Sequence, residues 1–363
     1  MFPRINVFGD FKIDNVSNLR IGDKLNQLLR RGGINLLNFE APIIDKGCLP
    51  IAKSGPSISQ DTCAPLWVEK HGWNVVSLAN NHAYDYGQRG LQLTINAFNS
   101  ATIIGGGENP YRVVYKRVGG ITYSFIAVTQ HESGVVSLNG RWGTAGISNP
   151  CVDSLILEAK KHSDYLLVYP HAGVERVDYP LPELRSLYRH WVDIGANAVV
   201  ASHPHIPQGW EIYKESLIFY SLGNFAFDDT DELPWWYDSL VVSLYPDNGK
   251  LKADIYACHY NQIGGIIEIS EVMPQTFKER IATICGIMKD EQQYLVEVNN
   301  YCRALLPFFQ WSINSSGLST SRKKEVLKRI LGRKNNSTPV HLLNLLQCES
   351  HRWALMRVLS AQS

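Results

Sequence analysis

The chain lacks an excess of charge of either sign. Its 35 lysines and arginines against 34 acidic residues leave a formal net charge of +1 over 363 residues. Near-neutrality removes any whole-chain attraction for nucleic acid or an anionic membrane surface, so no DNA partner is expected. It also lacks a long hydrophobic run: no stretch reaches the ~18 uninterrupted apolar residues of a membrane span, and no transmembrane anchor is expected. The opening Met1-Phe2-Pro3-Arg4-Ile5-Asn6-Val7-Phe8 has neither the apolar stretch nor the small-residue cleavage site of a secretion signal. Seven cysteines are scattered without a CxxC pair. That spacing excludes a structural zinc on thiolates and suits a reducing, cytoplasmic setting. Disorder is excluded as well, because 45% hydrophobic and 19% charged residues supply a sizeable core.

What is present is alternation. Over the first ~270 residues, short β-branched runs alternate with amphipathic stretches, the pattern of βαβ layering. Strands are predicted at Ile5–Phe8, Asn35–Phe39, Val75–Ala79, Tyr123–Val128, Tyr165–Tyr169, Ala198–Ala201 and Leu217–Ser221. Ser239–Tyr245 and Lys252–His259 flank Pro246-Asp247-Asn248-Gly249 and read as a hairpin. Helices are predicted at Asp23–Arg31, Gln60–Lys70, Gly90–Ser100, Val152–His162 and Pro182–Val192. After Pro274 helical periodicity takes over, at about Gln275–Asn299, Tyr301–Phe309, Arg322–Ile330 and Val340–Leu359. The division expected is therefore an α/β body over residues 1–272 and a helical region over 273–363. The latter carries a basic run from Arg322 to Lys334 that reads as a solvated helix face and linker.

The chemistry lies where the strands end. Functional groups of α/β sheets collect at the carboxyl ends of strands. Here one strand after another ends in a residue able to ligate metal: Asp10, Glu40, Asn81-His82, His171, and His203-Pro204-His205. Singly, each has an ordinary role as a cap, a loop residue or a hydrogen-bonded histidine. Five such endings form a constellation. In His203-Pro204-His205 an extended X-Pro backbone is expected to present the two rings as alternate side chains. Carboxylate, amide oxygen and imidazole together suit one or two divalent transition metals: manganese, iron or zinc.

These residues carry a resemblance. Gly9-Asp10, Asn38-Phe39-Glu40, Ser77-Leu78-Ala79-Asn80-Asn81-His82-Ala83-Tyr84-Asp85-Tyr86-Gly87, His171-Ala172-Gly173-Val174-Glu175, Ser202-His203-Pro204-His205 and Ser221-Leu222-Gly223-Asn224-Phe225 occur in order. Together they resemble the CapA family of capsule and poly-gamma-glutamate biosynthesis proteins, within the calcineurin-like metallophosphoesterases. The match runs from about Ile5 to Asp228, and the region after Pro274 lies outside it. The resemblance implies a four-layer α/β/β/α sandwich with a C-terminal helical appendage.

It also implies a binuclear centre. Asp10 and His205 would hold one metal, Asn81, His171 and His203 the other, and Glu40 would bridge them. His82 would act on the leaving group, oriented by Asp85. Lys12, Lys53 and Glu175 are the candidate substrate contacts. One departure weakens the first metal position: the superfamily's usual Asp-x-His is Asp10-Phe11-Lys12 here, and a protonated lysine cannot ligate. Gly105-Gly106-Gly107 lacks the Walker lysine and reads as a tight turn. Trp235-Trp236-Tyr237 reads either as a lid or stacking platform, or as packing against the C-terminal helices.

The function implied is a metal-dependent hydrolase, foremost a phosphoesterase, in making or modifying a capsule, exopolysaccharide or poly-gamma-glutamate-like polymer. Its partners would be an anionic polymer or phosphate-bearing substrate and other polymer-biosynthesis proteins. Two alternatives stand beside it. One is a non-catalytic assembly or binding subunit that keeps the fold. The other is a metal-dependent amide hydrolase or ligase accessory.

Overall fold

The computed structural model describes residues 3–31, 33–137, 140–229, 233–315 and 340–360. Two sheets form its centre. The larger runs in the order Arg20–Ile21, Ile266–Ser270, Lys250–Asn261, Asp238–Asp247, Arg4–Lys12, Gly33–Phe39, Val75–Ser77, Thr102–Ile104, and Asn224–Phe227 also pairs with Arg4–Lys12. The smaller runs Trp210–Tyr213, Ser216–Phe219, Ala198–Val200, Tyr165–His171, Ile121–Thr129, Val114–Val118.

Period-two alternation explains the layering. Along Arg4–Lys12, Ile5 and Val7 enter the core between the sheets, with Leu36, Val75, Phe125, Leu167 and Val200. Phe8 and Phe11 join a second core under the helices Asp23–Arg30, Ala64–His71 and Gly87–Ala97. Val168, Val199 and Ile218 of the smaller sheet face a third core with the helices Cys151–His162 and Pro182–Ile194. The order is helix, sheet, sheet, helix, as expected.

The parallel strands Arg4–Lys12, Gly33–Phe39 and Val75–Ser77 all point their carboxyl ends one way. Tyr165–His171 and Ala198–Val200 are likewise parallel in the other sheet. The hairpin turn is tight: Asn248 (φ 50°) and Gly249 (φ 78°) both take left-handed backbone, so the paired strands extend to Asp247 and Lys250. Gly105 lies where the sheets approach. A Cβ there would sit 2.5 Å from the Ala79 Cβ and 2.8 Å from the Ala127 carbonyl oxygen, so this glycine serves sheet packing. Gly106–Gly107, expected within a tight turn, is instead a short strand paired with Gly143–Thr144.

The C-terminal region departs from the expected long helices. The 275–299 stretch is two helices, Gln275–Ile287 and Glu291–Ala304, because the Asp290 carboxylate caps the second by accepting from the Gln293 N–H at 3.1 Å. The predicted Tyr301–Phe309 helix is divided between Glu291–Ala304 and Leu306–Ser315. The 340–359 stretch is Val340–Gln347 followed by Glu349–Ser360. The predicted Arg322–Ile330 helix and the basic run lie outside the described residues. Tyr294, Val298, Phe309, Leu345 and Val358 complete the core on the outer face of the smaller sheet. No described helix is long and apolar enough to cross a membrane. The cysteines are all free thiols.

Candidate metal centre

Strand ends from both sheets meet at one point. Asp10 sits where the Arg4–Lys12 strand changes register against Asn224–Phe227 and Gly33–Phe39. The strand beneath it needs Gly9, since a Cβ there would lie 1.9 Å from the Gly223 carbonyl oxygen. Glu40 follows the Gly33–Phe39 strand, and His171 ends Tyr165–His171. One ligand atom each from Asp10, Glu40 and His171 lie within 4.8 Å of one another, and all three residues are fully buried.

His171 is the hub of the second group. Its Nε2 lies 3.0 Å from Asn81 Oδ1 and 3.0 Å from His203 Nδ1. Its Nδ1 faces Ser202 Oγ at 2.9 Å and Asp10 Oδ1 at 3.6 Å. His205 points its Nδ1 at Asn224 Oδ1 (2.9 Å) and its Nε2 at Glu40 Oε1 (3.6 Å). The extended His-Pro-His backbone expected from sequence is not what forms. His203 and His205 have φ of 102° and 63°, conformations that non-glycine residues rarely hold outside functional sites. Asp10 secures the first by accepting from the His203 backbone N–H at 3.1 Å.

The electrostatics suit a bound cation. Burial pushes the Glu40 carboxyl well up, and the neighbouring Asp10 carboxylate adds to the rise. Burial also opposes ionisation of Asp10, but hydrogen bonding and charge from His171 outweigh it and hold this carboxyl far below its usual range. Glu40 Oε1 is buried without a hydrogen-bond partner. An orphaned oxygen, two carboxyl groups and clustered imidazoles fit a divalent transition metal.

His203 is held neutral: burial, then the nearby His171, pushes it from 6.5 down to about 3. Because the folded value is the lower one, its contribution to stability is complete above the free-imidazole value and is lost as pH falls from 6.5 towards 3. We expect the metal-free chain to lose up to about 1.4 kcal/mol per pH unit from this residue alone. Chemical denaturation across that window should show a shallower loss in His203→Gln.

Beside the ligand cluster stands a second group. His82 Nδ1 lies 2.7 Å from Asp85 Oδ2 and 3.2 Å from Lys53 Nζ, and Lys53 is ion-paired to Asp85 Oδ1. Asp85 also accepts from the Ile58 N–H at 2.8 Å. His82 Nε2 has no hydrogen-bond partner among the described residues. Asn80 fixes the turn, its Oδ1 accepting from the N–H groups of His82 (3.1 Å) and Ala83 (2.8 Å).

The other candidates fare differently. Lys12 is buried and bound by Asp14 and Asp229, each at 2.9 Å, so its ammonium is engaged within the chain rather than standing on the surface. Glu175 is exposed, within electrostatic reach of His205 and His203. Trp236 stacks obliquely on His205, ring centroids 5.2 Å apart, whereas Trp235 packs on Phe277 of the Gln275–Ile287 helix.

Sequence reasoning missed the amides and one acid. Asn38 Nδ2 donates to Asp10 Oδ1 (2.7 Å) and to Glu40 Oε2 (3.2 Å), tying the two carboxylates together. Gln130 Nε2 bonds Glu132 and lies 2.8 Å from His203 Nε2, and Glu132 Oε1 is 3.4 Å from the same nitrogen. Burial opposes ionisation of Glu132, but His203, His351, Gln130 and Lys53 hold its carboxyl at about 2. Gln130-His131-Glu132 directly follows the Ile121–Thr129 strand, the same signal that marked the other endings. The Asn38 signal was its place two residues before Glu40, on the same face.

Two curated proteins are similar to this chain in sequence. The capsule biosynthesis protein CapA of Bacillus anthracis is 34% identical over 233 residues, 60% of this chain and 56% of that protein. The PGA biosynthesis protein CapA of Bacillus subtilis (strain 168) is 34% identical over 198 residues, 53% of this chain and 52% of that one. The chain thus matches little more than half the length of these relatives. Among solved structures, the NAD nucleotidase of Haemophilus influenzae superposes with a TM-score of 0.43 at 10% identity, covering 78% of this chain and 62% of that one. The profile of the bacterial capsule synthesis protein PGA_cap matches residues 12–229, more than half of the chain. The chain belongs to the bacterial capsule synthesis protein (PGA_cap) family.

Proposed function

We propose that the chain is a divalent-metal-dependent hydrolase of the phosphoesterase type, acting on an anionic polymer or its phosphate-bearing precursor in capsule or poly-gamma-glutamate synthesis. Residues 1–272 form the catalytic body and 273–363 the appendage. The observation that carries the reading is the buried cluster of Asp10, Glu40 and His171, with an unpartnered Glu40 oxygen, next to the His82–Asp85–Lys53 group. A bound divalent cation supplies charge neutralisation for a transferring phosphoryl group and lowers the pKa of water.

This chain's residues do the rest. Asp10, Glu40 and His205 would hold one cation, and Asn81, His171 and His203, with Glu40, would hold a second. Asp85 keeps the His82 proton on Nδ1, and Lys53 balances the carboxylate charge. Protonated His82 presents Nε2–H to the leaving oxygen and gives up that proton as the bond breaks. Asn38 fixes both metal carboxylates, so little rearrangement accompanies catalysis.

One observation favours a second reading, that of a non-catalytic assembly subunit: Lys12, engaged by Asp14 and Asp229, adds no ligand beside Asp10. The test is a panel of phosphomono- and phosphodiesters assayed after chelation and after re-addition of manganese, iron or zinc. We expect hydrolysis that vanishes on chelation and returns with metal. Metal binding without hydrolysis of any panel member would move the assignment to the assembly subunit.

A further inference from the structure

A cavity of about 260 Å³ opens beside the His82 group, between the Lys53 loop, the loop after the Ile121–Thr129 strand and the helix Val340–Gln347. Its charged lining is Arg141 and Lys53, the latter ion-paired to Asp85 behind it, with His131 beside them and no carboxylate among the lining residues. His131 Nε2 is buried and has no hydrogen-bond partner. Among the described residues the Arg141 guanidinium donates to the backbone oxygens of Gly134 (3.0 Å) and Val136 (3.2 Å) and lies 5.7 Å over the Tyr84 ring, with no carboxylate paired to it.

The wall opposite is tied in place by polar bonds. Asn344 Oδ1 accepts from the Ser133 N–H at 2.8 Å, and His341 Nδ1 lies 2.9 Å from Ser54 Oγ. Glu349 Oε2 accepts from the His131 N–H at 2.7 Å, and Ser350 Oγ donates to Gln130 Oε1 at 2.6 Å. A helix pair held only by apolar packing would not spend four side chains on these loops. The family match ends at residue 229, so this wall is supplied by the chain's own C-terminal region.

We infer that this cleft is an anion subsite, which takes a carboxylate- or phosphate-bearing unit of the substrate next to the unit held at the metal centre. The inference rests on the hydrolase reading for the word substrate; the binding itself does not. The volume is below the ~300–1,000 Å³ of drug-sized sites and suits a single anionic unit. Lys53 lines this cleft and also contacts His82, so an anion seated here lies alongside the proton donor.

Titration calorimetry of the full chain with glutarate and, separately, inorganic phosphate tests the inference and tells the two anions apart. We expect at least one probe to bind, in the Glu40→Gln variant as in the wild type. Arg141→Gln should weaken it by about tenfold, the loss of a charged hydrogen bond. Gln347 lines the cleft through a side chain that makes no described hydrogen bond, so its variants keep the fold. Gln347→Lys should tighten and Gln347→Glu weaken binding by about threefold each. Absence of binding by both probes, identical affinities in both Gln347 variants, or loss of binding in Glu40→Gln would overturn the subsite. Loss of hydrolysis with these affinities intact would count against the hydrolase reading alone.

Discussion

Glu40→Gln is expected to abolish tight metal binding and, at the same time, to stabilise the metal-free chain at neutral pH. Both effects have one cause. The Glu40 carboxyl is buried beside Asp10 and held well above its usual range, so the folded chain binds its proton more tightly than the unfolded chain does. A raised acid pKa adds stability only at low pH; that stability is lost as pH rises through the folded value, leaving the ionised form strained at neutrality. A neutral amide of the same shape removes the penalty, and each kcal/mol relieved raises Tm by about 2–4 °C in a large domain. A metal does the same for the native side chain by neutralising it, which gives the wild type a larger gain on metal addition than the variant shows. Loss of a ligand should exceed the about 10–100-fold that outer partners cost. Calorimetric melts with and without manganese, and metal analysis of both proteins, check the prediction. Metal uptake by the wild type should also release protons, read as buffer-dependent heats of binding. A Glu40→Gln variant that binds metal as tightly as the wild type would remove Glu40 from the centre.

His82→Ala should lower hydrolysis by about 10²–10⁴-fold, the usual contribution of a positioned proton donor, with metal content unchanged. The separation follows from position. Asn81 faces His171, and His82, one residue on, turns its ring to Asp85 and Lys53 instead. Its removal leaves Asp85 bonded to Lys53 and to the Ile58 N–H, so the loop keeps its anchors. Asp85→Asn should be intermediate, because the amide still accepts from His82 but no longer supports the imidazolium charge. If His82 were merely structural, its removal would lower kcat and Tm together. Cellular polymer production unaffected by His82→Ala, together with an absence of hydrolysis, would favour the assembly subunit.

The residues at the centre were legible because βαβ layering delivers strand ends to one edge, and a ligand-type residue after each apolar run stands out. The apolar alternation of Ile5-Asn6-Val7-Phe8 and the unbroken apolar run Ala198-Val199-Val200 determined the sheets, and Pro246–Gly249 determined the hairpin. Asp290 with Gln293 three residues later was a helix-start signal already present in the 275–299 stretch. The helical period beneath it runs on without interruption, and period alone cannot show a break. Tertiary structure alone decided the left-handed backbone of His203 and His205, because the Asp10 carboxylate that holds the His203 N–H lies nearly two hundred residues away. It alone engaged Lys12 with Asp229, and it alone brought Glu132 and Gln130 to His203. The C-terminal helices show the division most plainly. Their amphipathic pattern determined that one face would be buried, with His341, Asn344, Glu349 and Ser350 as polar interruptions among the apolar residues. Against the loops of the metal centre those interruptions find hydrogen-bond partners, and a pairing over such sequence distances leaves no mark in local periodicity.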